Sequence, residues 1–414
     1  MSKQDQIYIG NNKTSFETKE VKGDLISIDN ENYYKISNSD AMRPFFMSLV
    51  SDSNHWMFIS SNGGLSAGRK DSESSLFPYY TDDKITESAD MTGSKTILQI
   101  HQNGKTYLWE PFSERYSGIY KTQRNLYKSS LGNKLIFEEK NEDLGLTYSY
   151  QWNSSNRFGF VRKSTLVNDT SSAIRMTVLD GIQNILPYGV NTDLQNSRSN
   201  LVDAYKKSEL EAEVGIGIYA LSAIIVDKAE PSEALKATTV WSAGIDDATY
   251  LLSSMQIDNF RKGKEITQEK DVKAEKGAYF VCSALTLAPN SEKKWMLVAN
   301  VNQTMINISE IAELIKSGVD LGAMVQEDIE LGSSKLLALN AASDGIQLTA
   351  DKLMNTRHFA NTLFNIMRGG IFDDGYQIEK ADFVKYIEHA NKKVSKKKEE
   401  LLENLPDVFT LKDL

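Results

Sequence analysis

The chain has 414 residues, 40% hydrophobic and 25% charged, with a mean hydropathy of −0.40, enough for two or three domains with a substantial core. A net charge of −9 and a pI of about 5.2 argue against a nucleic-acid partner, since binding phosphates needs clustered Lys and Arg. The single cysteine, Cys282, excludes an intrachain disulfide and a CxxC metal site, and no apolar run reaches the roughly 18 residues of a membrane span. The polar N-terminus, MSKQDQIYIGNNKTSFETKE, has no apolar signal segment. The expected location is therefore cytoplasmic, which leaves sequons such as Asn168-Asp169-Thr170 idle.

Residues 1–20 read as an irregular lead-in with one short strand at Ile7 to Ile9. From Gly23 the pattern turns to β. Leu25 to Ile28 and Tyr33 to Ile36 form two runs around an Asp29-Asn30-Glu31-Asn32 turn. His55 to Ile59 reads as the next strand, broken at Asn62-Gly63-Gly64 and again at Ala67-Gly68-Arg69. Phe77, Pro78, Tyr79 and Tyr80 then stand directly before Asp82 and Asp83. Aromatics beside carboxylates and an arginine on glycine-punctuated loops suit a carbohydrate surface, where C–H faces stack on rings and hydroxyls bond to charged groups. Arg69, Phe77, Tyr79, Tyr80, Asp82 and Asp83 are the candidate carbohydrate-binding or interface residues. The competing reading is a loop folded over its own domain, anchored by the same aromatics.

The clearest hairpin is Thr96–Trp109, whose Asn103-Gly104 pair suits a type I′ turn. Short strands follow at Tyr120–Tyr127, Lys134–Glu139, Leu146–Trp152, Phe158–Leu166 and Ile174–Leu179, with turn residues in each gap. Residues 180–200 interrupt this pattern, and a short helix is expected at Leu201–Leu210. Strands return at Val214–Val226, Leu235–Trp241 and Tyr250–Leu252, and a last hairpin joins Tyr279–Leu287 to Trp295–Val301. Many strands at about 10-residue spacing predict a large antiparallel sandwich.

Near residue 305 the period changes from 2 to 3.6. Ile308, Ile311, Ala312 and Ile315 share a helical face, and Asn307 with Glu310 suggests a capping box. A second helix is expected between Ala323 and Asn340. A third, after Thr349, should bury Ala360, Leu363, Phe364 and Met367 and stop at Gly369-Gly370. A fourth carries Phe383, Ile387, Ala390 and Val394 on one face and ends in a basic run, Lys392 to Lys398, read as a solvated face. The apolar end, with Leu405, Val408, Phe409, Leu411 and Leu414, suggests packing against something outside the chain. The expected division is a β-domain over 1–303 and a helical region over 304–414.

Catalytic signatures are missing from the sequence. The four histidines, His55, His101, His358 and His389, form no HxxxH or HxH pair, and there is no GxSxG, Walker or dinucleotide motif. Gly215-Ile216-Gly217 lies in an apolar strand and reads as close backbone packing. Cys282 sits in an apparent strand as an inert thiol. Asp82-Asp83 and Asp246-Asp247 are carboxylate pairs by composition only, because neighbours on a strand point to opposite faces. No catalytic residue, metal or cofactor is assigned.

Several stretches resemble one group of proteins. They are Asn62-Gly63-Gly64-Leu65-Ser66-Ala67-Gly68-Arg69, Leu76 to Lys84, Trp109-Glu110-Pro111-Phe112, Asp180-Gly181-Ile182-Gln183-Asn184-Ile185-Leu186-Pro187 and Met367 to Asp374. Their order and spacing over residues 20–410 resemble the amino-terminal region of cellobiose-phosphorylase-like carbohydrate enzymes. The resemblance implies a large β-supersandwich of galactose-mutarotase-like shape, a helical linker and then a catalytic (α/α)6 barrel carrying the general acid. This chain looks like the first two parts without the barrel, so no catalytic acid is carried over. Arg69 and Phe77–Asp83 would border a sugar cleft or a subunit interface.

Three functions follow as expectations. The first is a non-catalytic domain of a glycoside hydrolase or phosphorylase, with a glycan, the barrel and a possible homodimer mate as partners. The second is a mutarotase-type epimerase working through a general acid and base, for which His101 is the residue to test. The third is a stand-alone carbohydrate-binding module.

Overall fold

The computed structural model describes residues 7–14, 19–223, 235–343, 345–368 and 377–410. Two compact units divide at Ala360 and Asn361. The first is mainly antiparallel β, as the alternating apolar pattern predicts.

Its longest sheet runs, in spatial order, through strands Asp271–Lys273, Lys206–Glu211, Ile216–Leu221, Ala237–Ala243, Ser291–Gln303, Gly159–Asn168, Leu146–Ser155, Leu135–Asn141, Thr122–Ser129, Glu31–Ser37 and Lys22–Ile28. A second sheet orders Lys105–Trp109, Gly93–Gln102, Ile174–Ile185, Gly277–Leu287 and Thr249–Leu251. A third orders Phe46–Leu49, His55–Ser60, Leu65–Arg69 and Ser75–Phe77. One core cluster joins all three. It takes Tyr148, Trp152, Phe160 and Leu297 from the long sheet, Leu98, Val178 and Tyr279 from the second, and Met57, Ile59 and Phe77 from the third.

Strand alternation puts the next residues along on the opposite face. Val161 and Val298 pack there with Leu321, Val325 and Ile329 of the helix Leu321–Ala342. The long sheet is thus covered on both faces, by sheets on one side and by helices on the other. The helix Met305–Lys316 begins one turn earlier than expected. Its cap is Thr304, which forms a reciprocal box with Asn307, because a side-chain oxygen just before the first turn reaches the free amides best. Among the described residues no helix is long and apolar enough to cross a membrane.

A buried polar cluster holds the two large sheets together. Arg162, on the long sheet, and Asp180, on the second, are both fully buried and pair at 2.8 Å. Asp180 also accepts from Thr96 Oγ1 at 2.6 Å, Tyr148 Oη at 3.0 Å, Ser164 Oγ at 3.1 Å and Trp295 Nε1 at 2.6 Å. Burial works against the Arg162 charge. Asp180, with the phenols of Tyr148 and Tyr150, outweighs it and holds the guanidinium above its usual range.

Several expected boundaries move. The strand from Ile174 continues through Asp180-Gly181 to Ile185 where an interruption was expected, because the facing sheet satisfies the aspartate. The expected helix Leu201–Leu210 ends at Tyr205, and Lys206–Glu211 is a strand. The helix Lys352–Arg368 buries Leu363 as expected, but buries Phe359 where Ala360 and Phe364 were expected, and these two are exposed; the Met367 side chain lies outside the described residues. Gly369-Gly370, the Ile371–Asp374 stretch, Leu411, Leu414 and the end of the expected Val214–Val226 strand lie outside the described residues.

The second unit carries helices Lys380–Ala390, Lys392–Lys397 and Glu399–Glu403 and a two-stranded ribbon of Gln377–Glu379 with Val408–Thr410. The expected fourth helix breaks at Asn391, whose side chain caps the next helix by accepting from the amides of Lys393 and Val394. Phe409 does not wait for an outside partner: it is buried and meets Phe383 edge-to-face at 5.4 Å.

Candidate functional site

The third sheet presents its outer face through alternation in the sequence HWMFIS. His55, Met57 and Ile59 point inward, which leaves Trp56 and Phe58 on the outside. Phe46, on the neighbouring strand, stacks on Phe58 with centroids 5.5 Å apart and planes 24° apart. Trp56 follows at 5.8 Å and 33°, and Tyr79 meets the indole edge-on at 5.4 Å. The four rings make a continuous aromatic row whose two ends, Phe46 and Tyr79, are 45% and 42% exposed.

Gly68 lies opposite Trp56 in the strand register. A Cβ at Gly68 would stand 2.4 Å from Trp56 Cζ2, so only glycine lets the indole lie down over this strand. The Trp56 Nε1 group donates to the Asp71 carbonyl at 3.1 Å, which fixes the ring's orientation.

The sequence-derived residues divide around this row. Tyr79 belongs to it. Tyr80 is half-buried; its hydroxyl accepts from Gln195 Nε2 at 3.3 Å, and the Lys84 ammonium sits 5.8 Å from its ring centre. Asp82 and Asp83 are exposed in the first turn of a helix, Asp82–Glu87, where a loop was expected, and carboxylates there meet the positive helix end. The Thr81 hydroxyl and the Lys84 amide hold the Asp83 carboxyl below its ordinary range.

Phe77 corrects the expectation of a surface aromatic. It is fully buried and meets Trp152 edge-on at 6.2 Å, so it packs the core and offers no face to a ligand. Arg69 turns toward the long sheet. Its guanidinium donates to the Oδ1 atoms of Asn54, Asn156 and Asn300 at 2.8, 3.2 and 3.2 Å, and burial lowers its pKa. It ties the two sheets together at this edge. Phe46, Trp56 and Phe58 were not among the sequence-derived candidates. The signal was present as two aromatics two apart in an otherwise inward-alternating strand.

The two sandwich histidines lie on different sheets. His55 is buried, shares a hydrogen bond with Ser53 at 2.8 Å, and has its pKa lowered by burial and then by Arg69. His101 lies between the hydroxyls of Thr106 and Thr177, at 3.1 and 3.2 Å. Among the described residues neither hydrogen-bonds to a carboxylate, so neither is set in an acid–base pair. Burial pushes the Cys282 thiol up to about 11, which disfavours the reactive thiolate. No group of three or more His, Cys, Asp or Glu side chains able to hold a metal occurs among the described residues.

The fold is thus an antiparallel β-sandwich followed by helices, with an aromatic face on its four-stranded sheet. Residues 372–414 match the family model described as glycoside hydrolase family 149 insertion domain 1, which ties this segment to carbohydrate-active enzymes. Part of the matched stretch, 377–410, is described here and lies in the second compact unit.

Among solved structures, the chain is similar to the GH92 α-mannosidase BT3965 of Bacteroides thetaiotaomicron, at 11% identity, covering 84% of this chain and 39% of that one with a TM-score of 0.35. It is also similar to a galactose mutarotase-like protein of Lactobacillus casei, at 11% identity, with 62% and 100% covered and a TM-score of 0.32. A third is the polysaccharide lyase BACCELL_00875, at 11% identity, with 63% and 33% covered and a TM-score of 0.33. The chain spans about a third of the length of that lyase. No curated protein sequence matches the chain at a significant level.

Proposed function

We propose that this chain is a non-catalytic, glycan-facing part of a carbohydrate-active enzyme, either a glycoside hydrolase or a glycoside phosphorylase. In this reading residues 1–303 supply the sandwich, and 304–414 supply the helical part that leads toward a catalytic barrel. The observation that carries the reading is the aromatic row Phe46–Phe58–Trp56–Tyr79. Exposed and half-buried rings in a continuous row across the sheet and the loop after it offer apolar surface to the C–H faces of an extended sugar chain. Tyr80, Asp82 and Asp83 flank it with groups that bond hydroxyls. The family 149 match at 372–414 supports the same class of protein.

Affinity electrophoresis of the full chain in gels containing soluble starch, mannan, laminarin or hydroxyethyl cellulose tests this. At least one polysaccharide is expected to retard the protein. Trp56→Ala and Tyr79→Ala should each weaken that retention by about 1–3 kcal/mol, as losses of aromatic anchors do. Equal retention of both variants and the parent chain would remove the row as the binding face. If the variants instead alter the sedimentation coefficient and leave retention unchanged, the face is a homodimer interface.

A further inference from the structure

A second site stands apart from the aromatic row, in a cavity of about 620 Å³ that none of those four rings lines. Stretches distant in the chain meet there, among them Asn62-Gly63, Asp90 with Ser94-Lys95-Thr96, and Pro111 to Arg115. Its floor is apolar. Phe112 is half-buried and meets Tyr150 edge-to-face at 5.2 Å, and Tyr150 stacks on Phe137 at 4.9 Å with planes 15° apart. Its rim alternates acceptors and donors: Asp90 and Glu114 against Arg115 and Arg124.

The floor is held in place from behind. Phe112 has a φ of 63°, a left-handed conformation that a bulky side chain rarely adopts. Its amide donates to Glu139 Oε2 at 2.7 Å, and Trp109 Nε1 donates to the other oxygen at 2.8 Å. Glu110, in the same turn, is gripped by Lys95 at 3.1 Å and Arg261 at 2.7 Å. Two buried carboxylates therefore pin the Trp109–Phe112 turn and aim one aromatic ring into the cavity, the kind of support a precise site needs.

Charge selects the ligand class. Every cation at the rim is already matched: Lys95 by Asp90 and Glu110, Arg115 by Asp90 at 3.8 Å, and Arg124 by Glu114 and Glu139. Among the described residues no surplus positive charge lines the cavity to neutralise a phosphate or a sugar acid. Closely spaced donors and acceptors over an aromatic floor instead complement a neutral polyol with one apolar face.

We propose that this cavity binds a neutral pyranose residue, with the ring stacked on Phe112 and its hydroxyls bridging Asp90, Glu114 and Arg115. The cavity suits a single sugar unit or the end of a chain, whereas the outer row suits the length of one. It does not depend on the row for any contact, so the two sites fail separately.

The test is saturation-transfer NMR and calorimetry on the full chain with methyl β-D-glucopyranoside, methyl α-D-glucopyranoside and methyl α-D-mannopyranoside, and with inorganic phosphate. At least one pyranoside is expected to bind through its ring C–H protons, and phosphate neither to bind nor to displace it. Arg115→Ala, at a side chain 45% exposed, should weaken binding by about tenfold or more, the usual loss for a hydrogen bond to a charged group. Ala89→Trp, which fills the cavity from its wall, should abolish binding. Trp56→Ala should leave the pyranoside signal intact while it weakens polysaccharide retention. Urea midpoints show whether each variant is folded, and Arg115→Ala decides if Ala89→Trp is not. The proposal is overturned if no pyranoside binds the parent chain, if phosphate competes, if binding survives in folded Arg115→Ala, or if Trp56→Ala removes the signal.

Discussion

Asp180→Ala is expected to lower the unfolding free energy by about 3–5 kcal/mol, read from the urea midpoint, because it leaves Arg162 charged and unpaired in the core. No solvent reaches this pair, so water cannot replace the lost carboxylate. The loss also strips an acceptor from Thr96, Tyr148, Ser164 and Trp295, four groups drawn from both large sheets. Removing both charges tests the cause. The double variant Arg162→Met with Asp180→Leu replaces an ion pair by apolar volume and should be less destabilised than Asp180→Ala alone. A double variant as weak as the single one would show that the stranded charge is not what matters. Thr96 also lines the pyranose cavity, so Asp180→Ala should loosen that wall and weaken sugar binding even where the chain still folds.

Glu110→Ala should cost about 3 kcal/mol, the lower end for breaking a buried pair, since Lys95 and Arg261 keep Asp90 and Asp258 as second partners. The Glu110 side chain is 0% exposed. Burial opposes its charge, but the hydrogen bond and charge of Arg261, with the charge of Lys95, outweigh that and hold its carboxyl below the ordinary glutamate value of 4.5. A depressed folded-state pKa has a definite sign. The stabilisation is complete above the ordinary glutamate range and is lost as the pH falls through the lower folded-state value. Unfolding free energy measured from pH 6 downward should therefore fall less steeply in Glu110→Gln than in the parent chain. Parallel curves would mean that Glu110 does not contribute to the acid sensitivity. The same variant should disorder the Trp109–Phe112 turn and reduce pyranoside binding, which links the stability of the turn to its use.

Much of the strand layout was legible because it rests on local rules. Asn103 and Gly104 both adopt positive φ, 53° and 70°, and close the hairpin where the dipeptide places it. Strand Gly159–Asn168 alternates buried and half-buried residues from Arg162 onward. The helices after residue 304 follow from a change of period.

The candidate site was only partly legible. Tyr79 is exposed while Phe77, two residues earlier, is core, since the sheet behind the strand decides which aromatic is covered. Arg69 reads as a ligand-binding arginine until Asn156 and Asn300 arrive from the facing sheet.

By itself the sequence determined the β-rich class, the hairpin turns, the change to helix and the carbohydrate-type motifs. These depend on neighbours a few residues apart. Only the tertiary structure decided that Asp180 continues a strand instead of ending one, because its partners come from positions 96, 148, 162, 164 and 295. It alone aligned Phe46 with Trp56 and Phe58, and it alone closed a cavity between residues 62, 90 and 112. Strand pairing sets such meetings across long stretches of chain, and no local spacing encodes them.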